Sequence, residues 1–239
     1  MRAFGSLLYR AWVFFVFTFF MLLFLPFIVV PGFFGPRAVG FSYLFMKAWS
    51  YVFSWLTFIR YEIHGKEKIP KGQAFIYVSN HTSFLDLPGI AMTIRGQFRP
   101  LAKKELLKIP VFGWITSVTC VVVDRSSNES RKRSIQNLKH ILGKQISILI
   151  FPEGTQNRSK ELLQPFKEGA FRIALETQQT MIPLVVKNAG TLMPPGTIKL
   201  RPGKITIVVG EPVAITTDDL NETARLKDHV FEKMKAMLT

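Results

Sequence analysis

The sequence predicts an α/β domain, a mixed β-sheet flanked by helices, preceded by an apolar amino-terminal two-helix membrane motif. Three observations predict it. The first sixty residues are strongly apolar and contain no acidic residue. From Tyr61 onward, short apolar runs alternate with charged stretches and Gly/Pro turns, the texture of strands and helices in succession. Three of these runs end in polar clusters, as strands do when they feed a crevice at the edge of an open sheet. A chain of 239 residues accommodates one core-forming domain and an appendage. The expected division is 1–60 as a membrane-embedded helical hairpin and 61–239 as the α/β domain.

Between Arg10 and Arg37 lie 26 uncharged residues, and about 20 apolar residues in a helix cross a bilayer core. Pro26 and the Pro31-Gly32 and Gly35-Pro36 pairs predict that this helix ends or bends early and turns back. The second segment, 38–59, carries Lys47, Ser50, Tyr51 and Ser54 at helical spacing, a polar stripe on an otherwise apolar helix. That stripe suits either a membrane interface or contact with the following domain. Trp49, Tyr51 and Trp55 add rings of the kind that settle at headgroup level. A secretory signal fits less well, because the run exceeds an ordinary h-region and no small-x-small cleavage site follows it. A hairpin dipping into one leaflet and a two-pass crossing place Arg2, Arg10, Arg60 and Lys66 on the same side alike, so charge alone does not separate them.

In the body, strands are expected over 74–79, 119–123, 146–151, 181–186, 197–200 and 205–209, with helices over 84–94, 130–142, 168–177 and 218–237. The net charge is +15, of which +5 falls in the first sixty residues and +10 in the rest. A basic body joined to an apolar head fits an anionic membrane surface better than nucleic acid. The single cysteine, Cys120, sits in the apolar run Val118-Thr119-Cys120-Val121-Val122-Val123 and has no partner for an internal disulfide. This fits a reducing, cytoplasmic setting for the body, and hence a cell-membrane location with the active site on the cytoplasmic face.

The first strand runs into Asn80-His81-Thr82-Ser83-Phe84-Leu85-Asp86, the second into Asp124-Arg125, and the third into Pro152-Glu153-Gly154-Thr155. On a regular helix, positions five apart lie about 140° apart, so one helical face cannot join His81 to Asp86. They meet if His81 sits in the strand-to-helix turn, Thr82 or Ser83 caps the helix, and Asp86 lies in its first turn. The carboxylate then holds one ring nitrogen and leaves the other to take a proton, a His-Asp general base. The bland reading is a loop histidine and an unrelated helix-start carboxylate. No Gly-x-Ser-x-Gly elbow occurs, so a serine acyl-enzyme has no obvious seat and the dyad would activate an acceptor hydroxyl directly. His64, His140 and His229 have no comparable setting.

Asn80-His81-x-x-x-x-Asp86 followed by Phe151-Pro152-Glu153-Gly154-Thr155 resembles the glycerolipid acyltransferase family, in particular the 1-acyl-sn-glycerol-3-phosphate acyltransferases. A second block is similar from Gly113 to Val123-Asp124-Arg125, a fourth at Ile182-Pro183-Leu184, and the likeness covers residues 64–212. The resemblance implies that His81 deprotonates the sn-2 hydroxyl of lysophosphatidic acid and that Asp86 orients it. It implies that Glu153, Gly154 and Thr155 help hold the acceptor. It implies an acyl-CoA or acyl carrier protein thioester as donor, with no metal or cofactor. The candidates for the acceptor phosphate are Lys103, Lys104, Arg125 and Arg158, the arginines being suited to bidentate contact.

One position departs from the family pattern. Arg usually follows the Glu-Gly-Thr triplet, whereas this chain has Gln156-Asn157 and resumes with Arg158. Either Arg158 or the Lys103/Lys104 pair supplies the charge, or the acceptor is another one: glycerol 3-phosphate, a different lysophospholipid or an acylated amino acid. The non-enzymatic alternative is a basic membrane-anchored protein that binds lipid or nucleic acid. No feature of the sequence specifies an oligomeric state.

Overall fold

The computed structural model describes residues 2–123, 128–217 and 219–239. Helix α1 (Arg2–Val29) continues through a 3₁₀ turn (Val30–Phe34) and reverses at Gly35 into α2 (Val39–Thr57). Pro26 therefore does not end the first helix. It lies within the last turn of α1, where one missing backbone bond is outweighed by continued apolar packing against α2. Among the described residues α1 is the one helix long and apolar enough, by length and composition, to cross a membrane.

The hairpin lies along the body rather than projecting from it. At its base α1 is tied to α2, the Tyr9 hydroxyl donating to the Thr57 carbonyl at 2.7 Å and the Trp12 indole to that of Leu56 at 2.8 Å. At its tip the Gln97 amide donates to the Pro36 carbonyl at 3.3 Å. The polar stripe of α2 is turned inward: Ser50 and Ser54 are buried, and Lys47 reaches the Ile94 carbonyl at 2.6 Å. Tyr51 stands apart on the exposed side.

The body follows as β1 (Ile59–His64), β2 (Ile76–Ser79), α3 (Asp86–Thr93), β3 (Phe98–Lys103), α4 (Phe112–Thr119), β4 (Val121–Val123), α5 (Asn128–Gly143), β5 (Ser147–Ile150), α6 (Gly169–Thr177), β6 (Met181–Lys187), α7 (Ala189–Leu192), β7 (Gly203–Val209) and α8 (Thr223–Leu238). The sheet order is β1-β7-β6-β2-β5-β3-β4. Every pair is parallel except β6–β7. The sheet is thus mixed, with two strands at one edge reversed.

Both faces are covered, and strand alternation assigns the side chains. On one face Tyr77, Leu149, Ile182, Leu184 and Ile207 pack under α1, α2 and α3. On the other, Ile76, Val78, Ile148, Ile150 and Val185 pack under α5, α6 and α8. Full burial of each such side chain contributes about 1.5–3 kcal/mol.

Several elements differ from the sequence expectation. β1 begins at Ile59, two residues ahead of the expected boundary, and pairs with β7 through an alternating Ile-Arg-Tyr-Glu-Ile-His pattern. β3 was not expected because Pro100 interrupts its run. Pro100 nevertheless sits in the ladder opposite Leu149. The strand expected over 119–123 shortens to Val121–Val123, because Thr119 closes α4 and Cys120 is its cap. Residues 197–200 form no strand, since the Pro194-Pro195-Gly196 turn captures them through a Thr197 amide to Pro194 carbonyl bond at 3.2 Å.

Candidate active site

The carboxyl ends of the parallel strands β2, β5 and β3 lie side by side, so the residues that follow them leave the sheet at the same end. Asn80 anchors the first of them. Its side-chain oxygen accepts from the Val186 amide at 2.7 Å and its nitrogen donates to the Val186 carbonyl at 3.0 Å. The side chain thereby continues the β2–β6 ladder beyond Ser79, and the backbone leaves the sheet at His81.

His81 Nδ1 lies 2.8 Å from Asp86 Oδ2. The same oxygen accepts from the amides of Thr82 at 2.8 Å and Ser83 at 2.9 Å. An oxygen receiving two backbone N–H groups is an acceptor, so Nδ1 carries the proton it shares with Asp86, and in the neutral ring Nε2 has the lone pair. Among the described residues Nε2 has no partner. Asp86 is fully buried, while the imidazole is 17% exposed. The Phe151 ring stacks on the imidazole at a centroid distance of 4.1 Å and fixes its plane.

The strand-to-helix turn differs in detail from the expectation. α3 starts at Asp86 itself, with Leu85 as an uncapped N-cap. The Ser83 hydroxyl accepts from the Leu85 amide at 3.2 Å and donates to the Met193 carbonyl at 2.9 Å, tying the turn to the segment after α7.

Glu153 is buried at 3% exposure, and both its oxygens are used internally. Oε1 accepts from the His81 amide at 2.9 Å and Oε2 from the Gln164 amide at 2.8 Å. Burial pushes its carboxyl above the ordinary glutamate value, and the two amide bonds oppose that rise. Gly154 follows at φ +75°, a left-handed position suited to glycine, and its amide closes a turn on the Phe151 carbonyl at 2.9 Å. Thr155 is exposed.

The segment after it is also tied to the His81 loop, for the Asn157 amide donates to the His81 carbonyl at 2.6 Å. Asn157 is buried, its side chain organising the turn to Glu161, and Arg158 is directed outward with its guanidinium over Gly196. Lys103 is exposed at the end of β3 and Lys104 opens the 3₁₀ turn Lys104–Lys108. β5 alone separates β3 from β2, so these strand ends lie about 10 Å apart. Arg125, with Asp124, lies outside the described residues.

Two groups escaped sequence reasoning. Lys167 runs across Gly154, where a glycine Cβ would lie 3.0 Å from its Cε. Asn80 is the other, and its motif position was the available signal. Burial pushes the Cys120 thiol up, which disfavours the thiolate a nucleophile requires.

The acyltransferase family model matches residues 60–187, from β1 through β6 and across every strand end just described. The chain is 31% identical over 227 residues to a 1-acyl-sn-glycerol-3-phosphate acyltransferase of Chlamydomonas reinhardtii, covering 90% of this chain and 67% of that one. It belongs to the 1-acyl-sn-glycerol-3-phosphate acyltransferase family. The human alpha enzyme of that name is 31% identical over 68% of this acyltransferase and 59% of its own length. The crystal structure of the 1-acyl-sn-glycerophosphate acyltransferase PlsC from Thermotoga maritima superposes with a TM-score of 0.83 at 25% identity. That match covers 99% of this chain and 96% of the other. This acyltransferase therefore shares its architecture along nearly its whole length, amino-terminal helices included.

The internal bonding of Glu153 carries a prediction about its variant. Glu153→Gln keeps one acceptor oxygen but turns an NH₂ toward a backbone N–H, loosening the His81 loop. kcat is expected to fall about 10- to 100-fold, with the KM for acceptor little changed. A rise in KM alone, measured by initial rates against acceptor concentration, would instead make Glu153 an acceptor ligand. The wild-type carboxyl titrates above the ordinary value, so its folded state binds the proton more tightly. Wild-type stability should decline as pH rises from the ordinary glutamate range to that raised value. The variant should lack this decline in thermal melts.

Proposed function

We propose that this acyltransferase moves a fatty acyl group from an acyl-CoA or acyl carrier protein thioester to the sn-2 hydroxyl of 1-acylglycerol 3-phosphate. The product is phosphatidic acid, for phospholipid biosynthesis. The observation that carries this reading is the His81–Asp86 bond, with Nε2 unpaired among the described residues and the ring partly open.

Nε2 takes the proton of the acceptor hydroxyl as its oxygen attacks the thioester carbonyl carbon. The tetrahedral intermediate collapses, the C–S bond breaks, and the imidazolium returns the proton to the departing thiolate. Asp86 supports the positive ring between these steps. No acyl-enzyme is needed. Glu153 acts as a positioning residue, holding the His81 amide, while Gly154 and Thr155 line the acceptor side. Arg158, Lys103 and Lys104, together with Arg125, are the cations for the phosphate, and Lys167 over Gly154 joins them.

For the membrane we favour a hairpin lying in the plane of one leaflet. α2 is docked sideways on the body through Lys47, Ser50 and Ser54, whereas Phe14, Phe19, Leu22, Leu23, Phe33 and Phe34 of α1 and its 3₁₀ turn are exposed. α2 bares Phe41, Leu44 and Trp55 as well, but a crossing pair would carry the polar residues that dock α2 on the body into the hydrocarbon core. In this orientation the basic residues and the active site share the cytoplasmic face of the cell membrane.

Acceptor choice is the test. Purified enzyme with a labelled acyl thioester is offered lysophosphatidic acid, glycerol 3-phosphate, other lysophospholipids and acylated amino acids. Lysophosphatidic acid should give the highest kcat/KM. Inactivity with it, alongside activity with another acceptor, would turn the neutral Gln156 into the mark of that other specificity.

A further inference from the structure

Between β3 and α4 the chain forms an apolar prominence with no role in the chemistry. Leu107 is 41% exposed, Ile109 46%, Phe112 40% and Trp114 59%, four large apolar side chains within eight residues. Scattered single hydrophobics are ordinary on a protein surface, but contiguous ones mark contact with a partner or a membrane. The backbone holds them firmly. Val111 has φ +67°, an unfavourable conformation for a β-branched residue. Gly113 lies so close under the 3₁₀ turn that a Cβ there would be 2.3 Å from the Leu107 carbonyl oxygen.

This prominence is continuous with the hairpin, through half-buried Phe17 of α1 and exposed Phe33 of the 3₁₀ turn that follows it. The Phe112 ring stacks on Phe17 at 5.9 Å. Farther along, Val29, Gly32 and Phe33 face Trp114, Ser117 and Val118 across an apolar cleft of about 310 Å³. The chain leading into the prominence is basic, with Lys103, Lys104 and Lys108 exposed and Glu105 the one acidic residue of the 3₁₀ turn.

We propose that the segment 104–114 is a second membrane-contacting element, whose Leu107, Ile109, Phe112 and Trp114 enter the interface of an anionic bilayer. Continuity with α1 selects lipid as the occupant. These lysines select anionic headgroups, with the ammonium groups at headgroup level and the aromatic rings beneath. The inference rests on the reading that α1 lies in the membrane. It adds that the strand-end edge bearing Lys103 is held at the bilayer surface, so a lysophospholipid reaches His81 with its acyl chain still in the interface.

Spin labels test depth directly. In a Cys120→Ser background of the full chain, single labels are placed through Ile109→Cys and Trp114→Cys. Phe19→Cys on α1 serves as the lipid reference and Lys199→Cys as the water reference. In phosphatidylcholine–phosphatidylglycerol vesicles, labels at 109 and 114 should resemble the label at 19, favouring collision with oxygen over a water-soluble nickel chelate. They should shift toward the aqueous value in phosphatidylcholine alone, while the label at 19 does not. If 109 and 114 match 199 while 19 stays in lipid, this inference fails and the α1 anchor stands. If 19 also reads as aqueous, both fail. Dipolar broadening between labels at 114 would place a second copy on this surface and overturn the proposal. An unchanged depth without phosphatidylglycerol would overturn its anionic part.

Discussion

Replacing His81 by alanine lowers kcat/KM for acyl transfer by about 10²- to 10⁴-fold, the span of positioned general-base catalysis, while the protein remains folded. The two parts of this expectation have separate causes. The fold uses the backbone of His81, whose amide donates to Glu153 and whose carbonyl accepts from Asn157, and alanine retains both bonds. The proposed chemistry uses the ring, through Nε2 and the Nδ1 contact with Asp86. Truncation removes that contact and the Phe151 stack, yet Asp86 keeps the Thr82 and Ser83 amides and is not left an unpaired buried charge. Initial rates of labelled acyl transfer, with circular dichroism and thermal melts on the same preparation, check both parts. A wild-type rate in the folded variant would remove His81 from the reaction. Residual activity should also lose the acidic limb of the pH–rate profile, since that limb reports protonation of the base.

The dyad was legible because its geometry is local. Five residues, a strand end and a helix start suffice to bring His81 to Asp86, and spacing alone excluded the helical-face alternative. The bonding of Glu153 was not legible, because it depends on β2 and β5 being neighbours, with the bonded partners 72 positions apart. Sequence order says only that Glu153 follows a strand. The same applies to Asn80, whose partner Val186 is 106 residues away. Among the elements, β1 and β3 were hidden by Arg60, Glu62, Arg99 and Pro100, polar or strand-breaking residues that tertiary pairing overrides. The stripe on α2 allowed two partners in the sequence. Its resolution came from the Lys47 bond to Ile94, a contact with the end of α3 that no periodicity encodes.

Asp86→Asn is the complementary experiment, because it changes charge with little change in shape. The two backbone amides that point at Oδ2 decide the amide orientation: the asparagine oxygen takes that place, and the NH₂ faces the Thr82 hydroxyl, which lies 3.5 Å from Oδ1. His81 can still donate from Nδ1 to that oxygen, so the ring and its turn keep their positions. The negative charge that would stabilise an imidazolium in the proposed proton transfer is lost. kcat is expected to fall by about 10²- to 10⁴-fold, as when the buried aspartate of a catalytic triad is neutralised. Stability should fall by about 1–3 kcal/mol, since three N–H donors exchange a charged acceptor for a neutral one. The double variant with His81→Ala should be barely slower than His81→Ala alone, because residues acting as one unit are strongly non-additive. A loss below about tenfold, or full additivity in the double variant, would reduce Asp86 to a turn-forming residue. It would then leave His81 as a base acting without it.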